Sequence, residues 1–441
     1  MNLKRKLLAW KSAAAILLPT LTASAQQYEL VYKFTDGLDG ASPTSLMQAS
    51  DGNFYGSTEG GGVDHVGTIF RLTPQGQLTV VALVEPLLGD DITGPLVKGD
   101  DGAFYGTTTY GESGYGSIFR VSFDGGGATN IFSFNFTNGS EPLPLVKGEH
   151  GAFYGVTTSG GPYTNGVYYS YGTIFKFTEQ GEFTTLLTLS NFQSPSGIIV
   201  GSGDIIYGTT EHGGAFGSGV LFRLRQPENF TVLSDFDPTN IGYAPMICMQ
   251  AADGSLYGVT QTGGEFGYGT VFKASTNGTV ASLVPLTVDD GWARVTAQTA
   301  DGNIFGITSG NSYYDHTFGG VFRLPGLHSI LNFSYATGSS PSVISGSDGN
   351  LYGYIIMGGT NEYGAIYRLR MPTPQLEFNV QGNQLVLSWP TNFPGYRLQS
   401  TSGLNSPGGW IDCASSSIIA DDRYAATQTV SVTSKFYRLI H

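Results

Sequence analysis

The chain has 441 residues, a formal net charge of −13 and two cysteines. The length exceeds what one small domain needs, and the acidic excess repels phosphate backbones and anionic lipid, which excludes nucleic acid as an expected partner. Cys248 and Cys413 stand far apart and outside any C-x-x-C pair, so neither a disulfide framework nor a zinc site is expected.

In chain order, Met1 to Ala25 has the pattern of a secretory signal peptide. Lys4, Arg5 and Lys6 precede a short apolar core, Ala13 to Leu18, and Ala23-Ser24-Ala25 is an A-x-A cleavage site before Gln26. The apolar run is too short to span a bilayer. Removing the segment with its four basic residues, Lys4, Arg5, Lys6 and Lys11, takes the formal charge from −13 to −17. No later stretch is apolar for long enough to cross a membrane, so the mature chain is expected to be secreted or displayed at the cell surface without membrane insertion.

Tyr28 to Phe34 is the first expected strand. A unit then begins that repeats. Pro43 to Ala49 is a short apolar strand, and Asp51-Gly52 is a hairpin signal of the two-residue type I′ kind. Asn53 to Thr58 is a second strand, a glycine-rich loop follows, and Gly67 to Thr73 (GTIFRLT) is a third. Pro74-Gln75-Gly76 turns the chain into a fourth, Leu78 to Val84. Aromatic and β-branched residues with turn signals about every ten positions give four antiparallel strands.

The Tyr-Gly of the second strand marks the period. It stands at Tyr55, Tyr105, Tyr154, Tyr207, Tyr257 and Tyr352, with Phe305-Gly306 as a variant, at steps of 47 to 53 residues. The third strand carries a basic residue each time: Arg71, Arg120, Lys176, Arg223, Lys273, Arg323 and Arg368. Four strands repeated radially predict an all-β, seven-bladed β-propeller over residues 26–370, with a linear β-solenoid as the other architecture of this period. The seventh unit stops after its third strand at Arg370, so pairing with Tyr28 to Phe34 would complete the last blade and remove an open edge. Prolines in the linker 371–374 interrupt pairing. Residues 375–441 lose the period and alternate apolar and polar residues, which predicts a small C-terminal β-sandwich.

Units of the form Y-G-x-T, glycine-rich loop, G-T-[IV]-F-[RK] resemble the GloVer (Gloeobacter/Verrucomicrobia-type) tandem repeat of secreted bacterial proteins, over about Tyr28 to Arg370. The resemblance implies a secreted, propeller-like repeat protein and carries no general activity. Members of that family often end in a hydrophobic sorting helix and basic tail, whereas this chain ends in Lys435 to His441 (KFYRLIH). Its tail, with Trp389, Trp410 and Phe436-Tyr437-Arg438-Leu439, is similar to small β-domains closing verrucomicrobial secreted proteins, which favours a binding or sorting module over an anchor.

Residues present in every unit belong to the scaffold; ligand contacts belong where units differ. The loops between second and third strands differ most. Tyr168 and Tyr169 in the lengthened third loop and Tyr313 and Tyr314 in the sixth are the candidate ligand-binding residues, because tyrosine offers a ring to stack on a sugar and a hydroxyl to bond it. Weaker candidates are Asp64 and His65, Glu211 and His212, Glu265, and Asp315 and His316. The acid–histidine pairs lack a third ligand, so no metal site is expected. Asp90-Asp91 and Asp289-Asp290 offer oxygens to Ca2+ but in no known calcium-loop spacing, and no cofactor is expected. No nucleophile-elbow, zinc-protease or P-loop motif is present. Two functions follow: a secreted binding or scaffold propeller for a glycan or extracellular protein, or a polysaccharide-degrading glycosidase or lyase that needs two facing carboxylates. The pattern leans away from an enzyme.

Overall fold

The computed structural model describes residues 27–83, 92–111, 113–122, 127–162, 171–189, 193–225, 229–310, 318–334, 338–339, 341–358, 362–372, 374–390, 396–402, 410–413, 418–420, 423–429 and 435–440. It is all-β. The first sheet of the repeat region runs Ala41–Gln48, Phe54–Gly60, Thr68–Leu72 and Leu78–Leu83, paired antiparallel in chain order. The same order recurs in a second sheet (97–133), a third (146–188), a fourth (195–235), a fifth (243–285) and a sixth (293–332). In the third, Ser140–Pro142 adds to the second strand. The seventh sheet takes its fourth strand from the other end of the repeat region: Gln27–Lys33 pairs antiparallel with Ala365–Arg370.

Register explains why the repeated residues are what they are. In every sheet the Tyr (or Phe305) of the second strand lies directly opposite the basic residue of the third. The glycine after it lies opposite a Phe or Tyr ring of the third strand, for example Gly56 opposite Phe70 and Gly258 opposite Phe272. A Cβ on either glycine would run into that ring, so the slot admits only glycine. The buried aromatics Phe70, Phe119, Phe175, Phe222 and Phe272 thereby sink fully into the interior, each contributing on the order of 1.5 to 3 kcal/mol.

The hairpin between first and second strands departs from the expected type I′ turn. Gly52 N–H donates to Ala49 O, and Ala49 N–H donates to Asn53 O, so three residues form the loop. Gly52 alone has positive φ, at 82°. A type I turn followed by one left-handed glycine satisfies the strand ends with fewer strained residues than I′. That loop aims the Asp51 carboxylate back at its own strand, where it accepts from the Tyr55 hydroxyl at 2.7 Å.

Neighbouring sheets share buried clusters. Tyr55 and Ile69 of the first pack with Phe104 and Phe119 of the second; the same holds along the series. Leu46, Phe54 and Phe70 of the first sheet also pack with Tyr352 and Ile366 of the seventh. Polar contacts repeat at these joints. Glu141 N–H donates to Tyr115 O and Ala244 N–H to Ser218 O, both at 3.1 Å, and Ser42 N–H donates to Tyr363 O of the seventh sheet at 2.9 Å. Ser42, Glu141 and Ala244 all sit in the left-handed region, with φ of 52°, 56° and 50°. Ser347 N–H to Gln48 Oε1 (2.7 Å) and Tyr354 hydroxyl to Thr44 O (2.7 Å) add to the contact between seventh and first.

Past Arg370, Glu377–Gln381, Gln384–Pro390, Arg423–Thr429 and Ile418–Ala420 form one sheet, and Ile411–Asp412, Arg397–Thr401 and Phe436–Ile440 another. Trp389, Leu387 and Ala426 of the first pack with Leu398 of the second. Both cysteines are free.

Candidate functional site

An up-and-down sheet puts its first and third turns at one end and its second turn and outgoing connector at the other. Here the end with the second-to-third-strand loops and the connectors between sheets is the loop face; the short hairpins form the opposite face. Exposed large apolar residues gather on the loop face. Of the sixteen among the described residues, ten lie in these loops and connectors, among them Tyr110, Phe216, Phe266, Tyr268, Trp292 and Tyr363. Scattered single residues are ordinary, but a concentration on one face marks a contact surface. Phe216 and Phe266 sit at matching loop tips, each followed by a glycine, Gly217 or Gly267, with φ of 72° or 87°; the left-handed turn leaves the ring outside.

A cavity of about 1540 Å3 runs along the first strands of the sheets. Residues on or just before the first strand of all seven contribute, for instance Thr44, Pro95, Leu145, Ile198, Ile247, Thr296 and Ile344. At the loop-face end stand Trp292 and Arg294. Near the hairpin-face end are Asp348 and, from the C-terminal segment, Tyr396. Asp348 accepts from the Tyr352 hydroxyl at 2.8 Å and from Asn350. Burial alone would raise its carboxyl, but these hydrogen bonds outweigh it and hold it below the ordinary range. Burial pushes the Tyr354 hydroxyl up, opposed by the nearby Arg294 charge.

The sequence candidates fall in several places. Tyr168, Tyr169, Tyr313, Tyr314, Asp315 and His316 lie outside the described residues, as do Asp90 and Asp91. Asp64 and His65 belong to a single 3-10 turn, Val63–His65. His65 is three-quarters exposed, with its Nδ1 3.8 Å from Asp36. Glu211 follows the second strand of the fourth sheet and donates its N–H to Ser194 O at 2.7 Å. His212 and Glu265 are exposed on the loop face. Asp290 is engaged within its own loop, accepting from Thr287 N–H and Oγ1 at 2.8 and 2.7 Å. Among the described residues, no three or more His, Cys, Asp or Glu side chains come together as a metal site. Sequence reasoning passed over Trp292 and Arg294, although Trp-Ala-Arg at the start of the sixth unit's first strand has the alternation that puts both side chains on one side.

The model of the Gloeobacter/Verrucomicrobia repeat matches residues 17–190 and 165–367. The chain belongs to the Gloeobacter/Verrucomicrobia repeat family. No curated protein matches it. Among solved structures, this repeat-family chain is similar to a catalytically inactive virginiamycin B lyase from Staphylococcus aureus crystallised with quinupristin, at 14% identity and a TM-score of 0.53, covering 78% of this chain and 99% of that one. It is also similar to a Xanthomonas campestris gluconolactonase (13% identity, TM-score 0.41, 65% and 87% covered) and to the extracellular domain of a one-component system of B. thetaiotaomicron (10%, 0.49, 82% and 45%). The first of these likenesses agrees with an all-β, propeller-like fold. Among the described residues, no helix is long and apolar enough to cross a membrane.

Proposed function

We propose that this repeat-family chain is an exported, closed seven-bladed propeller that binds a glycan of the extracellular space or of another cell's surface at its loop face, with residues 375–441 as an accessory β-sandwich. The concentration of exposed aromatic rings on the loop face, with Trp292 at the cavity itself, carries the reading. Rings held by rigid sheets stack on sugar faces at little entropic cost. Closure is supported by the pairing of Gln27–Lys33 with Ala365–Arg370 and by the cluster shared between first and seventh sheets. Export is supported by the signal pattern of Met1 to Ala25.

A glycan array probed with the mature chain tests it. Binding is expected in the millimolar to micromolar range, about 4 to 8 kcal/mol. Phe266→Ala and Tyr268→Ala should each weaken a bound glycan by about 1 to 2 kcal/mol with the melting temperature unchanged. Array binding insensitive to both substitutions would refute the loop-face assignment.

A further inference from the structure

One position breaks the chemistry of the cavity wall. In each sheet a first-strand or connector residue pairs with the residue just after the Tyr-Gly (or Phe-Gly) glycine. That slot holds Ser45, Thr93, Leu143, Gly197, Met246 and Ser342 in six sheets. In the sixth it holds Arg294, opposite Ile307. Arg294 is the one basic residue on the cavity wall, among the described residues. Its guanidinium has no carboxylate within ion-pair distance among them; its side-chain contact is Nη2 to Met246 Sδ at 3.8 Å. Basic residues of the sheets elsewhere have carboxylate partners, as Arg120 has Asp101, Lys273 has Asp253 and Arg368 has Glu29. Two residues earlier Trp292 is half exposed and lines the same wall, its backbone N–H donating to Ser309 Oγ at 3.0 Å.

Within the loop-face reading above, we propose that Trp292 and Arg294 are a recognition pair for an acidic sugar: the indole stacks on the ring while the guanidinium takes its carboxylate. The planar fork of arginine matches a carboxylate in a bidentate geometry. Indole offers a large apolar face for a sugar ring to stack on. The cavity exceeds the 300 to 1,000 Å3 of an ordinary small-ligand pocket and has room for more than one sugar ring. A single cation inside a chain of net charge −13 neutralises one carboxylate and leaves a densely charged polymer repelled. The ligand is therefore a hexuronate at a chain end, or one within a mostly neutral or esterified glycan.

Calorimetry on the full mature chain, with galacturonate and glucuronate oligosaccharides and their methyl esters, tests this. The ester keeps the ring and removes the charge. The acid is expected to bind at least tenfold tighter than its ester. Arg294→Gln should abolish that preference, Arg294→Lys should retain part of it and control for folding, and Trp292→Ala should weaken acid and ester alike. Equal affinities for acid and ester, or an unchanged preference in Arg294→Gln, overturn the pair. If neutral glycans bind without any preference for uronates, this inference fails and the loop-face reading stands. If no sugar binds at all, both fail. Tighter binding of a sulfated disaccharide than of any uronate overturns the carboxylate assignment.

Discussion

At the scale of single residues, repeated positions of the second sheet partner one another. Tyr105 donates to Asp101 at 2.9 Å, and Arg120 bonds the same carboxylate oxygen at 2.8 Å. Burial pushes the Tyr105 hydroxyl to about 12; Arg120 opposes the rise and Asp101 adds to it. The Asp101 carboxyl would be raised by burial, but Arg120, the Ala103 N–H and Tyr105 together bring it below the ordinary range. A carboxylate whose folded pKa lies under its unfolded value stabilises the fold above about pH 4, and the gain is lost as pH falls through the folded value. Asp101→Asn should therefore cost about 1 kcal/mol at pH 7, at the low end for a charged hydrogen bond because Arg120 is a third exposed. Wild type and variant should converge as pH falls through the folded value of Asp101; calorimetric melts at pH 7 and across the acid range check this. The sequence marked both residues as scaffold because they recur from unit to unit. It did not show which carboxylate they meet, because that depends on the three-residue loop, and Asp-Gly alone does not distinguish that loop from a type I′ turn.

At the scale of elements, the repeated joint between sheets decides the architecture. Strand order and the pairing of the first strand with the last were legible from Tyr-Gly, GTIFR and the missing fourth strand, since pattern period and turn residues act locally. Loop conformation was not legible. Positive φ at Ser42, Glu141 and Ala244 follows from contact with the preceding sheet, and nothing in those three side chains announces it. The candidate site suffered in the same way: attention to loop tyrosines missed Trp292 and Arg294, whose meaning lies in their departure from the other six units. Deleting Gln27–Lys33 should strip Arg368 and Arg370 of Glu29 and leave the third strand of the seventh sheet unpaired. Light scattering should show aggregation of that variant under conditions where the intact chain stays monodisperse.

At the scale of the molecule, two cores are built differently. The repeat region distributes its buried residues over joints between successive sheets, whereas residues 375–441 centre on Trp389. A chain ending near Arg370 should therefore keep one cooperative melting transition within a few degrees of the full protein. Loss of cooperativity would mean that the tail shares the core of the repeat region. Tyr396 makes the experiment informative in a second way. It lines the cavity near the hairpin face, where Asp301 is close enough to add to the rise that burial gives its hydroxyl. Truncation should open that end to solvent, which faster hydrogen exchange of the hairpin amides beside Asp348 would register.

The pairing of Gln27–Lys33 with Ala365–Arg370 joins residues as far apart as Glu29 and Arg368, 339 positions along the chain. Loop closure over that distance is the slowest contact the repeat region has to make. Until it forms, the last sheet offers an edge that the same strand of another molecule fits equally well, the usual route to strand exchange and dimers. The connector opposes this. Only seven residues separate Lys33 from Ala41, and Phe34 within them is fully buried, so the strand reaches no more than about 25 Å from the first sheet. Once the first sheet is docked on the seventh, its own strand is present at an effective concentration of millimolar order, above that of any other copy in solution. Self-closure then wins by tethering, without any sequence difference between the correct strand and its competitor.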